Sequence, residues 1–294
     1  MVNSRLIANT ISDKIFTVVM YVIVGIITLL MLYPFVNVLA IAFSTYEGYI
    51  KNPLMIWPPE WDFTAFSYVV QSKLILKGYG NTIFVTGVGT IVSLFLTTFT
   101  AYPLSRKELL GKRFFMTYFL IVMVFAGGII PEFIVMNSLN LTNTLWSLIL
   151  PFLIPIYHLV LMKSFFESIP TSLIEAATID GASELYIYGR IILPLSKPAI
   201  ACIALFEMVM YWNDYMKAVM FVQGNRDKWP LQLIMRDMIL SAQSVIDSDL
   251  GDTYLYTESI QYATLVVVIL PIVLVYPFIQ KYFVSGIMLG AVKE

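Results

Sequence analysis

Cysteine, histidine and charge are the scarce side chains in this sequence. Cys202 is the single cysteine among 294 residues. That excludes a disulfide framework and a cysteine-based zinc site. His158 is the single histidine, which excludes a multi-histidine metal centre. Charged residues make up 13% of the chain, against about 25% in an ordinary soluble domain. Lys plus Arg (18) nearly balance Asp plus Glu (19), so there is no basic field for nucleic acid. No G-x-x-x-x-G-K-[ST] phosphate loop occurs. What remains is apolar: 59% of residues are hydrophobic and the mean hydropathy is +0.81. One water-soluble core cannot hide that much apolar surface. The chain's bulk solvent is lipid.

A spanning helix needs about 20 mostly apolar residues. Six stretches qualify, at about 15–44, 81–105, 114–136, 145–165, 198–222 and 260–283. The first has no small-residue cleavage site and is too long for a signal-peptide core, so it reads as a retained span. Arg106, Lys107, Lys112 and Arg113 crowd the short turn after the second span, whereas 137–144 carries no charge. The positive-inside rule makes the 106–113 turn cytoplasmic. Arg5, Lys14, Lys281 and Lys293 agree, placing both termini on that side. Loops at about 46–80 and 223–259 then face outward, and their Trp, Pro and Asp content predicts folded surface loops. The expected fold is an all-α integral membrane domain covering 1–294, with no soluble catalytic domain.

Between spans four and five, 166–197 reads as a capped helical loop on the cytoplasmic side. Pro170 suits a first helical turn. Ser172 and Glu175 have capping-box spacing. Asp180-Gly181 predicts a left-handed helix end. Ser183 can cap the next helix, Pro194 and Pro198 break the chain, and Ser196 can cap span five. Leu173, Ala176, Ala177 and Gly181 lie on adjoining faces. Two alanines and a glycine allow close approach by another protein, or by the chain's own bundle.

The segment EAATIDGASELYIYGRIILP resembles the EAA loop of binding-protein-dependent ABC importer permeases. The matching positions are Glu175, Ala176, Ala177, Gly181, Ile191, Leu193 and Pro194, with unbroken spacing. IDGAS, LPLSKP, YWND and the terminal YFVSGIMLGAVKE resemble the carbohydrate, maltose-type branch. The likeness is to the oligosaccharide or polysaccharide-fragment group found with Gram-positive lipoprotein receptors. This resemblance implies a type I importer fold with a coupling helix between spans four and five. It implies a bacterial cytoplasmic-membrane permease that pairs with a second, related permease subunit. It also implies two ATPase subunits that bind ATP and Mg, and an extracellular sugar-binding lipoprotein. Glu175, Ala176, Ala177, Asp180, Gly181, Leu193 and Pro194 would then be ATPase-coupling residues, and the tail at about 284–294 would reach the ATPase. No cofactor or metal site is expected in this chain, and it is not expected to be an enzyme.

An ionisable residue inside a span is a functional-site hypothesis by default. Glu207, Tyr211 and Asp214 form one polar stripe along the fifth span, flanked by Trp212 and Asn213. Carboxylates, an amide and aromatic rings can line a sugar path, or can join helices within the bundle. Glu132 follows Gly127, Gly128 and Pro131, where the third span reads as broken; it is a path residue or an outer-surface carboxylate. His158 and Cys202 read as buried bundle residues, and Gly80, Gly87 and Gly89 as close-packing positions. The deep parts of the spans lack Arg and Lys, which leans towards a neutral oligosaccharide. Two other readings stand beside this one: a proton-coupled secondary transporter using Glu207 and Asp214, and an ABC permease for a non-sugar solute. An intramembrane hydrolase lacks its nucleophile-and-base pattern.

Overall fold

The computed structural model describes residues 11–125, 127–246 and 259–274. In lipid a backbone must pair its donors and acceptors internally, which favours long helices. In chain order the helices are α1 (Ile11–Ala42), α2 (Tyr46–Lys51), α3 (Thr64–Gln71), α4 (Lys73–Ser105) and α5 (Lys112–Val124). They continue with α6 (Ile129–Ser138), α7 (Trp146–Ile149), α8 (Ile156–Glu167), α9 (Thr171–Ile179) and α10 (Glu184–Ile187). Last come α11 (Leu193–Leu195), α12 (Lys197–Asn213), α13 (Met216–Phe221), α14 (Leu231–Ile246) and α15 (Ser259–Leu274). The described residues contain no strand, only one isolated bridge between Ser44 and Trp61.

Two helices, α1 and α4, are each long and apolar enough to cross a bilayer alone. Three bent pairs pass the same test together: α5 with α6, α7 with α8, and α10–α11 with α12. Counting each pair once gives up to five spans. The sixth stretch is described only as α15, a shorter apolar helix; the rest of it and the tail at about 284–294 lie outside the described residues.

The chain divides into two compact units, 1–70 with 239–267 and 71–238 with 268–294. In the first unit, Ala40, Ile41 and Met55 form a small core with Tyr49 and Tyr262 against it. Gly48 is required there, since a Cβ would sit 2.7 Å from Ser44 Oγ and 2.8 Å from Pro59 Cγ.

The second unit is built on α4, which lies against both α8 and α12. Small residues recur along its buried side: Gly78, Thr82, Gly89, Ser93, Thr97 and Ala101. This spacing of four or seven residues lets helix backbones approach closely. A Cβ on Gly89 would lie 2.7 Å from the Tyr211 ring, as the close-packing reading expects. Gly80 and Gly87 have open space around them, so that reading fails for those two.

The fifth predicted span is not one helix. α12 ends at Asn213, Asp214 turns extended (ψ 112°), and α13 begins at Met216. The Asp214 carboxylate accepts from the Lys217 N–H (3.4 Å), capping the new helix rather than continuing the old one. Span three breaks where its glycines predicted. α5 stops at Val124, Gly128 adopts φ +85°, and α6 restarts at Ile129. The start of the predicted 223–259 loop is folded against α4. Asn81 donates to the carbonyls of Asp227 (2.9 Å) and Trp229 (3.0 Å), and Lys77 pairs with Asp227 at 2.5 Å. These bonds hold α4 helical from Lys73, eight residues before the predicted start.

Candidate functional site: a helical loop rooted in the bundle core

Pro170 occupies the N-cap position of α9, with ψ 127°, and starts the helix by excluding the preceding residue from it. Ser172 therefore lies inside α9, so the predicted Ser172–Glu175 capping box does not form. The helix ends as Gly181 dictates. Gly181 takes φ +81°, the Ala182 N–H donates to the Ala177 carbonyl (3.0 Å), and the Gly181 N–H donates to the Thr178 carbonyl (3.0 Å). These two bonds make a Schellman motif. Ser183 then caps α10 by accepting from the Tyr186 N–H (3.3 Å). A single wide π turn, Tyr188–Ile192, leads into α11. At Ser196 the chain bends by 79° into α12. Ser196 stands at the N-cap of α12, but its hydroxyl makes no cap bond.

One side of this loop is rooted. Ile174, Ile187, Tyr188 and Ile192 are buried in a core with Ala101, Leu159, Met162 and Phe166. The Tyr188 hydroxyl meets Thr98 Oγ1 at 2.9 Å. The other side is free. Glu175, Ala176, Asp180, Gly181 and Pro194 are exposed, while Ala177 and Leu193 are half-buried. Around them stand bare apolar side chains: Leu173, Ile179 (86% exposed), Leu185 and Tyr186. An exposed apolar rim on a rigid, capped helix is the composition of a protein contact surface.

Charge pairs brace the rooted side. Lys112 and Lys163 both reach Glu167, at 2.9 and 2.7 Å. Burial pushes the Glu167 carboxyl up, but hydrogen bonds and attraction from the two ammonium groups outweigh it and hold the carboxyl below its usual range. Tyr102 donates to Glu184, which also faces Arg106 at 3.5 Å. A polar groove of about 790 Å³ runs between the 105–112 turn and α9, bordered by Lys107, Glu108, Glu175 and Thr178. Sequence reading used Arg106 and Lys112 only for topology and missed Tyr102, Lys163, Glu167 and Glu184. The Lys163–Glu167 spacing of four was a visible signal; the others come from separate segments.

The intramembrane polar residues divide differently from the single predicted stripe. Glu207 and Tyr211 point into this chain's own bundle, 0% and 3% exposed. Glu207 Oε1 is 3.5 Å from His158 Nδ1. The Tyr211 hydroxyl donates to the Ile149 carbonyl (3.2 Å). Trp212 is half-buried, and its indole N–H has no partner among the described residues. Asn213 is exposed, donates to the Val209 carbonyl (3.0 Å), and accepts from Gln232 (3.3 Å). Asp214 caps the next helix. Glu132 pairs with Lys217 at 2.8 Å, and the Lys217 ammonium lies 3.4 Å from the centre of the Phe152 ring. Lys217 is a mostly buried cation just after α12, which the sequence reading did not weigh.

The sequence profile described as "Binding-protein-dependent transport system inner membrane component" matches residues 4–288. The chain is 39% identical over 284 residues to the Bacillus subtilis polygalacturonan/rhamnogalacturonan transport system permease protein YtcP, covering 96% of this chain and 99% of that one. It is 38% identical over 287 residues to the B. subtilis protein LplC, covering 97% of each. Among solved structures it resembles a chain of a bacterial ABC transporter involved in the import of the acidic polysaccharide alginate, with a TM-score of 0.85 and 32% identity over 94% of this chain and 99% of the other. A buried-root, exposed-face helix carrying the unbroken EAA spacing, in a chain matched over nearly its whole length, belongs to the family of inner membrane components of binding-protein-dependent transport systems.

Proposed function

We propose that this chain is the permease subunit of an ATP-driven oligosaccharide importer. The observation that carries this reading is the loop of α9 to α11: one face is locked into the bundle core and the other presents Glu175, Ala176, Asp180 and Gly181 with an apolar rim. A partner that grips the exposed face moves the bundle, because Ile174, Ile187 and Ile192 transmit the displacement. Ala177, Leu193 and Pro194 complete the coupling surface. Two ATPase subunits holding ATP and Mg supply the motion, a second related permease supplies the other half of the path, and an extracellular sugar-binding lipoprotein delivers cargo. The chain crosses the bacterial cytoplasmic membrane six times with both termini inside.

The cargo is an oligosaccharide with acidic units. The permease YtcP is named for polygalacturonan and rhamnogalacturonan, and the alginate importer for an acidic polysaccharide. This reverses the lean towards a neutral sugar. Lys217 is already faced by Glu132, so the second permease provides the free cations for acidic cargo. In this chain Asn213 and Trp212 meet the sugar, while Glu207, Tyr211 and Asp214 shape the wall from behind.

Reconstitution tests the reading. The chain, its partner permease, the ATPase and the binding protein in liposomes import an acidic oligosaccharide only with ATP. Glu175→Ala abolishes import and binding-protein-stimulated ATP hydrolysis. Import driven by a proton gradient with the ATPase omitted would instead establish a secondary transporter.

A further inference from the structure

The outer loop after α1 folds back along its own helix. The Asn37 amide donates to the carbonyls of Pro53 (3.0 Å) and Met55 (2.9 Å), and the Tyr33 hydroxyl donates to the Leu54 carbonyl (3.1 Å). Farther along, the Asp62 N–H donates to the Phe43 carbonyl (2.9 Å). Phe43 stacks on Phe66 at 4.3 Å and tilts against Trp61 at 5.7 Å. The loop is therefore rigid, yet its outer side is strongly apolar: Leu54, Ile56 and Trp57 are 70%, 64% and 71% exposed.

Helix geometry sets the depth of these residues. Lys14 is the last charge before the apolar run of α1. At 1.5 Å per residue, Tyr33 and Asn37 lie roughly 28 and 35 Å from it along the axis. The hydrocarbon core is about 30 Å thick. Tyr33 and Asn37 thus mark the far boundary of the hydrocarbon, and the backbone they hold lies at that level. Trp and Tyr are enriched at this boundary. A saccharide platform needs hydroxyl-directed polar groups beside its rings, but Asp62 Oδ1 already accepts from the Thr64 N–H (2.9 Å) and hydroxyl (2.5 Å). The neighbours Leu54 and Ile56 are aliphatic and suit acyl chains.

We propose that the 53–57 loop, led by Leu54, Ile56 and Trp57, inserts into the headgroup–acyl boundary of the outer leaflet and fixes the depth of α1. Its assignment to the outer leaflet rests on the topology stated under Proposed function; its depth does not.

The test uses the whole transporter in lipid nanodiscs, with nitroxide labels on Leu54→Cys, Ile56→Cys and Glu60→Cys in a Cys202→Ala background. The ratio of collisions with oxygen to collisions with a water-soluble nickel chelate is several-fold higher at 54 and 56 than at 60. A ratio at 54 and 56 no higher than at 60 would place the loop in water and overturn the proposal. Exclusion of both reagents would place it under a protein partner and also overturn it. Unlabelled protein gives a second readout: lipid brominated near the headgroup quenches tryptophan fluorescence, and Trp57→Phe removes part of that quenching. An unchanged quenched fraction would count against insertion. A membrane-impermeant maleimide on whole cells labels Glu60→Cys from outside. Labelling only from the cytoplasmic side would sink the topology while leaving the depth result standing.

Discussion

Glu207 Oε1 lies 3.5 Å from His158 Nδ1, inside the bundle formed by α4, α8 and α12. The His158 ring also stacks on Phe206 at 5.9 Å between centres. Neither Glu207 oxygen has a hydrogen-bond partner among the described residues. Leaving one member of a buried polar pair without its neighbour costs about 1–3 kcal/mol, while replacing both with apolar groups of the same shape is often near neutral. His158→Leu should therefore lower the melting temperature of the solubilised transporter sharply. The double variant His158→Leu/Glu207→Met should recover most of the loss. Additive effects in that cycle would mean that the pair is not coupled.

Gly89 faces the Tyr211 ring with no room for a side chain. Gly89→Ala overpacks the α4–α12 contact, at a cost of about 1–3 kcal/mol. Tyr211→Phe keeps the ring and should not relieve the clash; Tyr211→Leu should. Chemical denaturation of the four variants reads this directly, and equal effects in both tyrosine backgrounds would contradict the geometry.

Gly181 holds φ +81° with open space around its Cβ position. The penalty for alanine there is conformational, about 1–2 kcal/mol. The Gly181 and Ala182 amides, which close the end of α9, should exchange about tenfold faster in Gly181→Ala at a cost of 1.4 kcal/mol. The global melting temperature should move little. Unaltered exchange would show that α9 does not depend on this cap.

Glu167 is kept ionised by Lys112 and Lys163 to a lower pH than an ordinary glutamate. A carboxylate depressed in the folded state stabilises fully above the usual glutamate range and loses that contribution as pH falls through its folded value. Wild-type stability should therefore drop through the acidic range below the ordinary glutamate value. Glu167→Gln should be less stable than wild type at neutral pH, and the gap should close in acid. Parallel stability curves for the two proteins would dismiss the brace.

The loop's local punctuation was legible because its signals are local. Pro170, Gly181 and Ser183 act on backbone within a few residues, and each stands at the end of the helix that its chemistry predicts. The capping box at Ser172 failed for the same kind of reason: Pro170 claims the N-cap two residues earlier. The break after Asn213 was missed because apolar composition runs on through α13, while Asp214 turns its carboxylate to cap the next helix.

Composition by itself determined that this chain lives in lipid, since no core could absorb so much apolar surface. Motif spacing determined which polar segment stands out, since all seven positions fall on one short loop. Only the tertiary structure decided which side of that loop is rooted and which is free. It also decided that Glu207 faces His158, that Lys217 faces Glu132, and that the 53–57 loop lies back on α1. The first two pairs join segments far apart in the chain, where α8 meets α12 and α6 meets α13; the third depends on which carbonyls Asn37 and Tyr33 can reach.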